Sequence, residues 1–477
     1  MMTRRGFIGS AAAAVSLGAF RTCAAGAGCV GRPNLVLGVV SDIHAPSSAN
    51  MDAFRKALVW YRERGADGVV LTGDLTTWSE EGEFKLVAKA WNSIFPDDRL
   101  PDGRKVEKLF VTGNHDVDGW DSPKGRANYR RPVEESGFPY HREEFWKRYF
   151  GESYAAVVRK EVKGYTFVLR NWHSRHARFR EENPLPDWFA AHGKELQMDR
   201  PFFLLQHEPP LGGCNSPWAN PCFCDRGEAA KCLSMFPNAV ALTGHTHYSL
   251  GDDSSVWQGA YTSVNCGSAC AWPFTAAGRE NGHAGDENGV EMQMIPKDSA
   301  RQAMILSVYA DRIVFERRDL IDGEPLGDDW IIPIGHGAAR PYAHGIRRTA
   351  TPAPRFGPGA KVTVVAKEGE DRASDRHEQI VVTFPAVNGL LGGARAYDFE
   401  VSAEGLCADG RWVPCGSKAV FSPNAFRSPK ADVRPVTCVF AKRGFSGKVA
   451  ARFSVRPRDV WGKAGSSIVS ARFGIES

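Results

Sequence analysis

Three polar side chains stand in a row where an apolar run ends: Asn114, His115 and Asp116 follow Gly113 and the stretch Leu109-Phe110-Val111-Thr112. An amide oxygen is a neutral metal ligand, an imidazole carries a proton near neutral pH, and a carboxylate beside it can hold that imidazole protonated. Such a row asks for a cation and a proton donor at one strand end. Four other apolar runs end in similar residues. The first closes on Asp42-Ile43-His44, the second on Gly73-Asp74, a later one on His207, and the last on Gly244-His245-Thr246-His247. In Asp42/His44 and His245/His247 the i, i+2 spacing of an extended chain places both side chains on one side.

With His115 held back as the proton donor, two aspartates, one asparagine and four histidines remain as ligands. That is too many for one four-coordinate ion and suits two ions sharing a carboxylate. Mixed imidazole and carboxylate donors favour zinc, iron or manganese over calcium. Two such ions can activate a hydroxide and clamp a phosphoryl group for in-line attack. One Asp, Asn or His at a strand end is ordinarily a turn or cap residue; the full set in order reverses that reading.

The intervening pattern shows how these segments converge. Residues 35–40, 68–71, 109–111, 165–169, 202–205, 240–243 and 261–264 read as strands, with helices over 50–63 and 80–94. This alternation predicts an α/β fold with a parallel or mixed sheet, in which ligands gather at the carboxyl ends of strands. Residues 303–309 and 312–317 read as a closing hairpin. Residues 118–150 and 208–234 are irregular insertions over the site. Beyond an unpatterned linker, short alternating strands without helices predict an all-β sandwich domain. The organisation is therefore 1–27 export signal, 28–335 catalytic domain, 336–360 linker and 361–477 sandwich. A chain ending near Arg340 is expected to keep its metals and its turnover of small substrates.

The spaced set D-x-H, GD, GNH(D/E), H and GHxH, complete and in order within residues 34–320, resembles the calcineurin-like metallophosphoesterases. The resemblance implies a metallophosphoesterase β-sandwich flanked by helices, each half of the sheet mostly parallel. It implies that Asp42, His44 and His247 hold one metal, that Asn114, His207 and His245 hold the other, and that Asp74 bridges them. The cofactors are then two divalent or trivalent ions of Mn, Fe or Zn, with His115 the general acid steadied by Asp116. Gly73-Asp74-Leu75-Thr76 before a glutamate-rich helix is similar to the single-chain bacterial phosphodiesterase branch. Thr76 and Thr77 stand where purple acid phosphatases set a tyrosine, so a tyrosinate-bound ferric site is not expected. The final part, residues 394–401 and 453–469, resembles a fibronectin type III-like domain.

At 477 residues the chain exceeds one core's usual size, and 43% hydrophobic with 24% charged residues is a globular composition. Of the formal charge of +5, residues 1–27 contribute Arg4, Arg5 and Arg21 with no acid. The small balance of +2 gives no support to a nucleic-acid or anionic-membrane partner. Thr3-Arg4-Arg5-Gly6-Phe7-Ile8, an alanine-rich apolar stretch and Ala25-Gly26-Ala27 read as a twin-arginine signal, implying the twin-arginine export machinery as a partner and a periplasmic or extracellular location. Ten cysteines then remain; most are expected in disulfides, with a structural zinc site at Cys214, Cys222, Cys224 and Cys232 as the alternative.

The predicted function is hydrolysis of a phosphomonoester or phosphodiester. The alternative is a non-catalytic cell-surface binding protein with a structural metal site, which would not need His115. A redox protein is weaker still, since no CxxC pair occurs. His173 and His176 read as a surface loop, and Arg130 and Arg131 as solvated. Trp218 and Tyr248 either line the cleft or pack. Composition and spacing assign neither a substrate nor an oligomeric state.

Overall fold

The structure, a computed structural model, describes residues 31–117, 142–174, 181–196, 199–214, 224–270, 300–335, 337–370, 376–389, 394–422, 425, 427–429 and 434–475. The proposed signal, Arg130, Arg131, His176, Trp218 and Cys222 lie outside these residues.

β1 (Leu35–Val40) shows why the first strands are apolar on both faces. Leu35, Leu37 and Val39 enter a core between two sheets, while Val36 and Val40 pack beneath helices, so neither face meets water. α1 (Ser48–Glu63) starts at Ser47, whose hydroxyl accepts from the Asn50 N–H. It lays Met51, Phe54, Leu58 and Tyr61 on the sheet. β2 (Gly68–Thr72), α2 (Glu81–Ile94) and β3 (Glu107–Val111) repeat the unit. The second half holds β4 (Val157–Val162), β5 (Tyr165–Arg170), β6 (Phe203–Leu205), β7 (Val240–Thr243), β8 (Val256–Gln258) and β9 (Thr262–Asn265). β10 (Gln302–Val308), β11 (Arg312–Asp319) and β12 (Trp330–Pro333) return to the first sheet.

The two six-stranded sheets run β12-β11-β10-β1-β2-β3 and β4-β5-β6-β7-β9-β8. They pack face to face through side chains such as Leu37, Leu109, Phe167, Phe203 and Leu242, with helices outside each: a mixed α/β sandwich. β1–β2–β3 and β5–β6–β7–β9 are parallel, which brings their carboxyl ends to one rim. The first sheet departs from a mostly parallel half, because β10, β11 and β12 follow one another by short turns and pair antiparallel.

The C-terminal part is all β in its sheets, β13-β14-β17 and β16-β15-β18-β19, with β20 against β18. These are β13 (Thr363–Glu370), β14 (Arg376–Phe384), β15 (Asp398–Leu406), β16 (Trp412–Phe421), β17 (Val436–Ala441), β18 (Ala450–Arg458), β19 (Ile468–Val469) and β20 (Phe473–Gly474). A short helix, His344–Ala350, lies in the stretch read as linker. Contacts with the first domain are specific. Arg427 Nε donates to the buried Asp319 carboxylate at 2.6 Å, and Arg395 donates to Leu326 O at 3.2 Å. Ser249 Oγ, two residues past His247, donates to Ala425 O at 3.4 Å. A cleanly separable sandwich does not describe this contact.

The expected disulfides are a second correction. Cys214, Cys232, Cys266, Cys407 and Cys415 are free thiols. Cys407 faces Arg411, bonding its carbonyl at 2.8 Å, whereas Cys415 sits at a bulge opposite Ala403 and Glu404. Several residues of ladder separate the two, more than a disulfide spans. Among the described residues no helix is long and apolar enough to cross a membrane.

Candidate metal centre

The ligand motifs sit where the parallel strands run out, and the chain does not stay extended there. Asp42, His44, Asp74, His245 and His247 all have positive φ, from 49° to 67°. The side chains of each D-x-H and H-x-H pair thus meet through left-handed turns rather than through a continuing pleat. Aspartate and histidine tolerate this region better than most residues, at a cost on the order of 1 kcal/mol each. The neighbouring glycines answer a different need. A Cβ on Gly113 would lie 2.2 Å from Asp74 Oδ1, and one on Gly244 2.5 Å from Asp42 Oδ2. Only glycine lets these backbones approach the carboxylates.

The donors form two groups. Asp42, His44, Asp74 and His247 make one, and Asp74, His207 and His245 the other, each with one atom per residue within 4.8 Å of the rest. His247 Nε2 is 3.0 Å from Asp42 Oδ1 and 3.2 Å from His44 Nε2. His207 Nε2 is 3.0 Å from Asp74 Oδ2, and both Asn114 Oδ1 and His245 Nδ1 lie 3.1 Å from it. Asn114 thereby joins the second group, and Asp74 belongs to both. All seven residues expected as ligands are brought together.

Outer contacts aim these atoms. His207 Nδ1 donates to Thr72 O at 2.7 Å, which turns Nε2 inward. Asp42 accepts the His245 N–H on both oxygens, at 3.2 and 3.1 Å. Asp74 Oδ1 takes the His115 N–H at 2.9 Å, leaving Oδ2 facing the imidazoles. Burial pushes His44 and His245 down to about 3, the neutral form in which imidazole binds a metal. Burial also opposes charge on Asp42 and Asp74, yet the surrounding imidazoles win: His247 lowers the first and His207 holds the second well below the usual carboxylate range. At His207 burial is overcome by Asp74, and the ring is pushed up to about 10. Two buried carboxylates whose countercharge comes from imidazoles, with an amide oxygen alongside, are a donor set that fits metal ions.

His115 stands in neither group. Its ring lies edge-on to His44 with centroids 4.8 Å apart, and Nδ1 donates to Thr77 O at 2.8 Å. Burial depresses this imidazole, but Asp74 and the Thr77 carbonyl outweigh it, and its pKa is raised. Asp116 steadies this ring by charge alone, its carboxylate adding to the rise in the imidazole's pKa. Its carboxylate accepts from the N–H groups of Gly113 at 2.8 Å, Leu75 at 3.2 Å and Thr76 at 2.8 Å, and from Thr76 Oγ1 at 2.8 Å. It ties the Asp74 loop to the Asn114 turn.

Other expectations shift as well. His173 is buried, with Nδ1 2.8 Å from Arg170 Nη2, instead of lying on a surface loop. Tyr248 packs against Cys224. Glu83 escaped the sequence reading; it accepts the N–H groups of Thr77, Trp78 and Glu80 and so fixes the carbonyl that orients His115. Its position three residues after Glu80, at the start of a helix, was a usable capping signal.

A two-sheet α/β sandwich that gathers carboxylates, imidazoles and an amide at one rim defines the metallophosphoesterase class. Residues 35–249 match the calcineurin-like phosphoesterase family, so the chain carries a calcineurin-like metallophosphoesterase domain. No curated protein matches the chain. Among solved structures it is similar to a dimetal phosphatase from Danio rerio, at 12% identity and a TM-score of 0.37 over 64% of this chain and 100% of that one. GAP50, the anchor in the inner membrane complex of Plasmodium, matches at 10% identity and a TM-score of 0.38 over 63% and 89%. A 5'-nucleotidase precursor from Thermus thermophilus matches at 12% identity and a TM-score of 0.29 over 86% and 94%.

Proposed function

We propose that the protein is an exported phosphoesterase that uses two ions of manganese, iron or zinc to hydrolyse a phosphomonoester or phosphodiester, with His115 as general acid. The observation that carries this reading is the division of labour around Asp74. One carboxylate is common to two donor groups, while His115, bonded to that carboxylate through its backbone N–H, contributes to neither. Bound metals supply Lewis acidity and a water acidified at neutral pH. Asp42, His44 and His247 would hold one ion, Asn114, His207 and His245 the other, and Asp74 both.

The rest follows from the chain's own atoms. Because Nδ1–H of His115 is committed to Thr77 O, the second proton of the imidazolium sits on Nε2, the atom left to donate to a departing alkoxide. The raised pKa keeps that proton in place until the leaving group takes it. The test is phosphate release from a panel of mono- and diesters with added manganese, iron or zinc, before and after chelation. Two bound equivalents without hydrolysis of any ester would sink the catalytic reading. Export rests on the Arg4-Arg5 motif and is tested separately: Arg4→Lys with Arg5→Lys is expected to leave the protein in the cytoplasm, and unchanged export refutes the signal.

A further inference from the structure

The end of β5 supplies no ligand, yet it carries a fully buried ion pair. Arg170 and Glu208 are both 0% exposed, and Arg170 Nη1 and Nη2 donate to the same oxygen of Glu208 at 3.0 and 2.9 Å. Two well-packed apolar residues are often as stable as such a pair, so its presence calls for a reason other than stability. Glu208 directly follows His207. The guanidinium also donates from Nη2 to His173 Nδ1 at 2.8 Å, and because a guanidinium only donates, His173 accepts there and keeps its proton on Nε2.

Between Arg170 and His173, the segment touches His207, His245 and the strand end that leads into Asn114. Asn171 Oδ1 accepts the Thr112 N–H at 2.9 Å, and Trp172 N–H donates to Thr112 Oγ1 at 3.0 Å, two residues before Asn114. The Trp172 ring, stacked with His173 at 6.1 Å, lies 5.9 Å from the His207 ring and 6.0 Å from the His245 ring. These hydrogen bonds and ring contacts all fall on the Asn114, His207 and His245 side of the centre.

We infer that Arg170 is a positioning residue that, through Glu208 and the Asn171-Trp172-His173 segment, sets the geometry of the Asn114/His207/His245 half of the centre and not of the other half. This rests on the two-metal reading above. The test uses the full chain, comparing the parent with Arg170→Met and with Arg170→Met/Glu208→Leu. Metal stoichiometry and affinity are measured by manganese and zinc titration against a chromogenic chelator, and thermal stability in parallel. The single substitution removes the guanidinium from a buried carboxylate and lowers stability; the apolar double substitution is expected to recover the melting temperature. Both are expected to bind one equivalent as the parent does and the second at least tenfold more weakly. If the double variant regains stability and both equivalents at parent affinity, the pair only fills space and the inference is wrong. Equal weakening of both equivalents also overturns it. If the parent itself takes one equivalent, the two-metal reading falls first, a result distinct from a parent with two and an unaffected variant.

Discussion

His115 and Asp116 are neighbours with different tasks. Since the His115 side chain stands in neither donor group and its backbone N–H bond to Asp74 survives the substitution, His115→Ala is expected to keep its metal content. It should lose about 10²- to 10⁴-fold on alkyl esters, whose leaving groups need a proton, and far less on nitrophenyl esters. Metal loss, or equal loss on both ester types, would contradict the general-acid role. Asp116→Ala should behave otherwise. It leaves three backbone N–H groups without their acceptor, a cost of about 3 kcal/mol or more, and loosens the turn that carries Asn114. Denaturant melts and metal analysis are expected to fall together, whereas a residue serving only to steady the imidazole would spare both. Asp74→Ala removes the carboxylate common to both groups, and Gly113→Ala drives a Cβ into it; each is expected to abolish binding of both ions, as read by elemental analysis.

Among the elements, α2 does more than cover the sheet. Burial raises Glu83 to about 7 against the pull of its three N–H donors, while Asp116 adds to the rise. A carboxyl whose folded pKa exceeds its unfolded value binds its proton more tightly when folded. Its contribution is therefore full below about 4.5 and fades as pH rises through 7. Melting temperatures of parent and Glu83→Gln measured from pH 5 to 8 should show the parent losing ground to the variant as pH rises; a constant difference would place the titration elsewhere. Elements with a strong pattern were legible in the sequence: β1 and β7 appear with the expected limits. β16 keeps Pro414 and Gly416 inside a strand, because a bulge opposite Ala403 and Glu404 absorbs the irregularity. Helix Glu228–Leu233 was hidden in a segment that looked like loop from its Gly, Pro and Cys. Motif spacing exposed the seven donor residues that the structure gathers at one rim, because each is tied to a strand end. It could not expose Glu83, Arg170 or the Thr77 carbonyl, whose roles depend on which loops meet in space.

For the whole molecule, the interface with the C-terminal sandwich ties the two parts together by hydrogen bonds. Leu250 N–H donates to Gln302 Oε1 at 2.6 Å, and Ser249 reaches Ala425, so the loop leaving His247 is held partly from the second domain. A chain ending at Arg340 is expected to melt lower and to bind metal more weakly. Arg427→Ala in the full chain, which strips the buried Asp319 of its ion partner, should cost about 1–3 kcal/mol in a denaturant titration. A truncation with parent stability and metal content would restore the independent-domain view.

The left-handed ligand backbones carry one more consequence, for the molecule as a thermodynamic system. Five residues held at positive φ in one pocket favour unfolding, and an ion that binds only when all are in place opposes it. Folding and metal uptake then become a single linked equilibrium, in which stability rises as RT ln(1 + [L]/Kd). The melting temperature is then expected to climb with the logarithm of added metal concentration above the Kd.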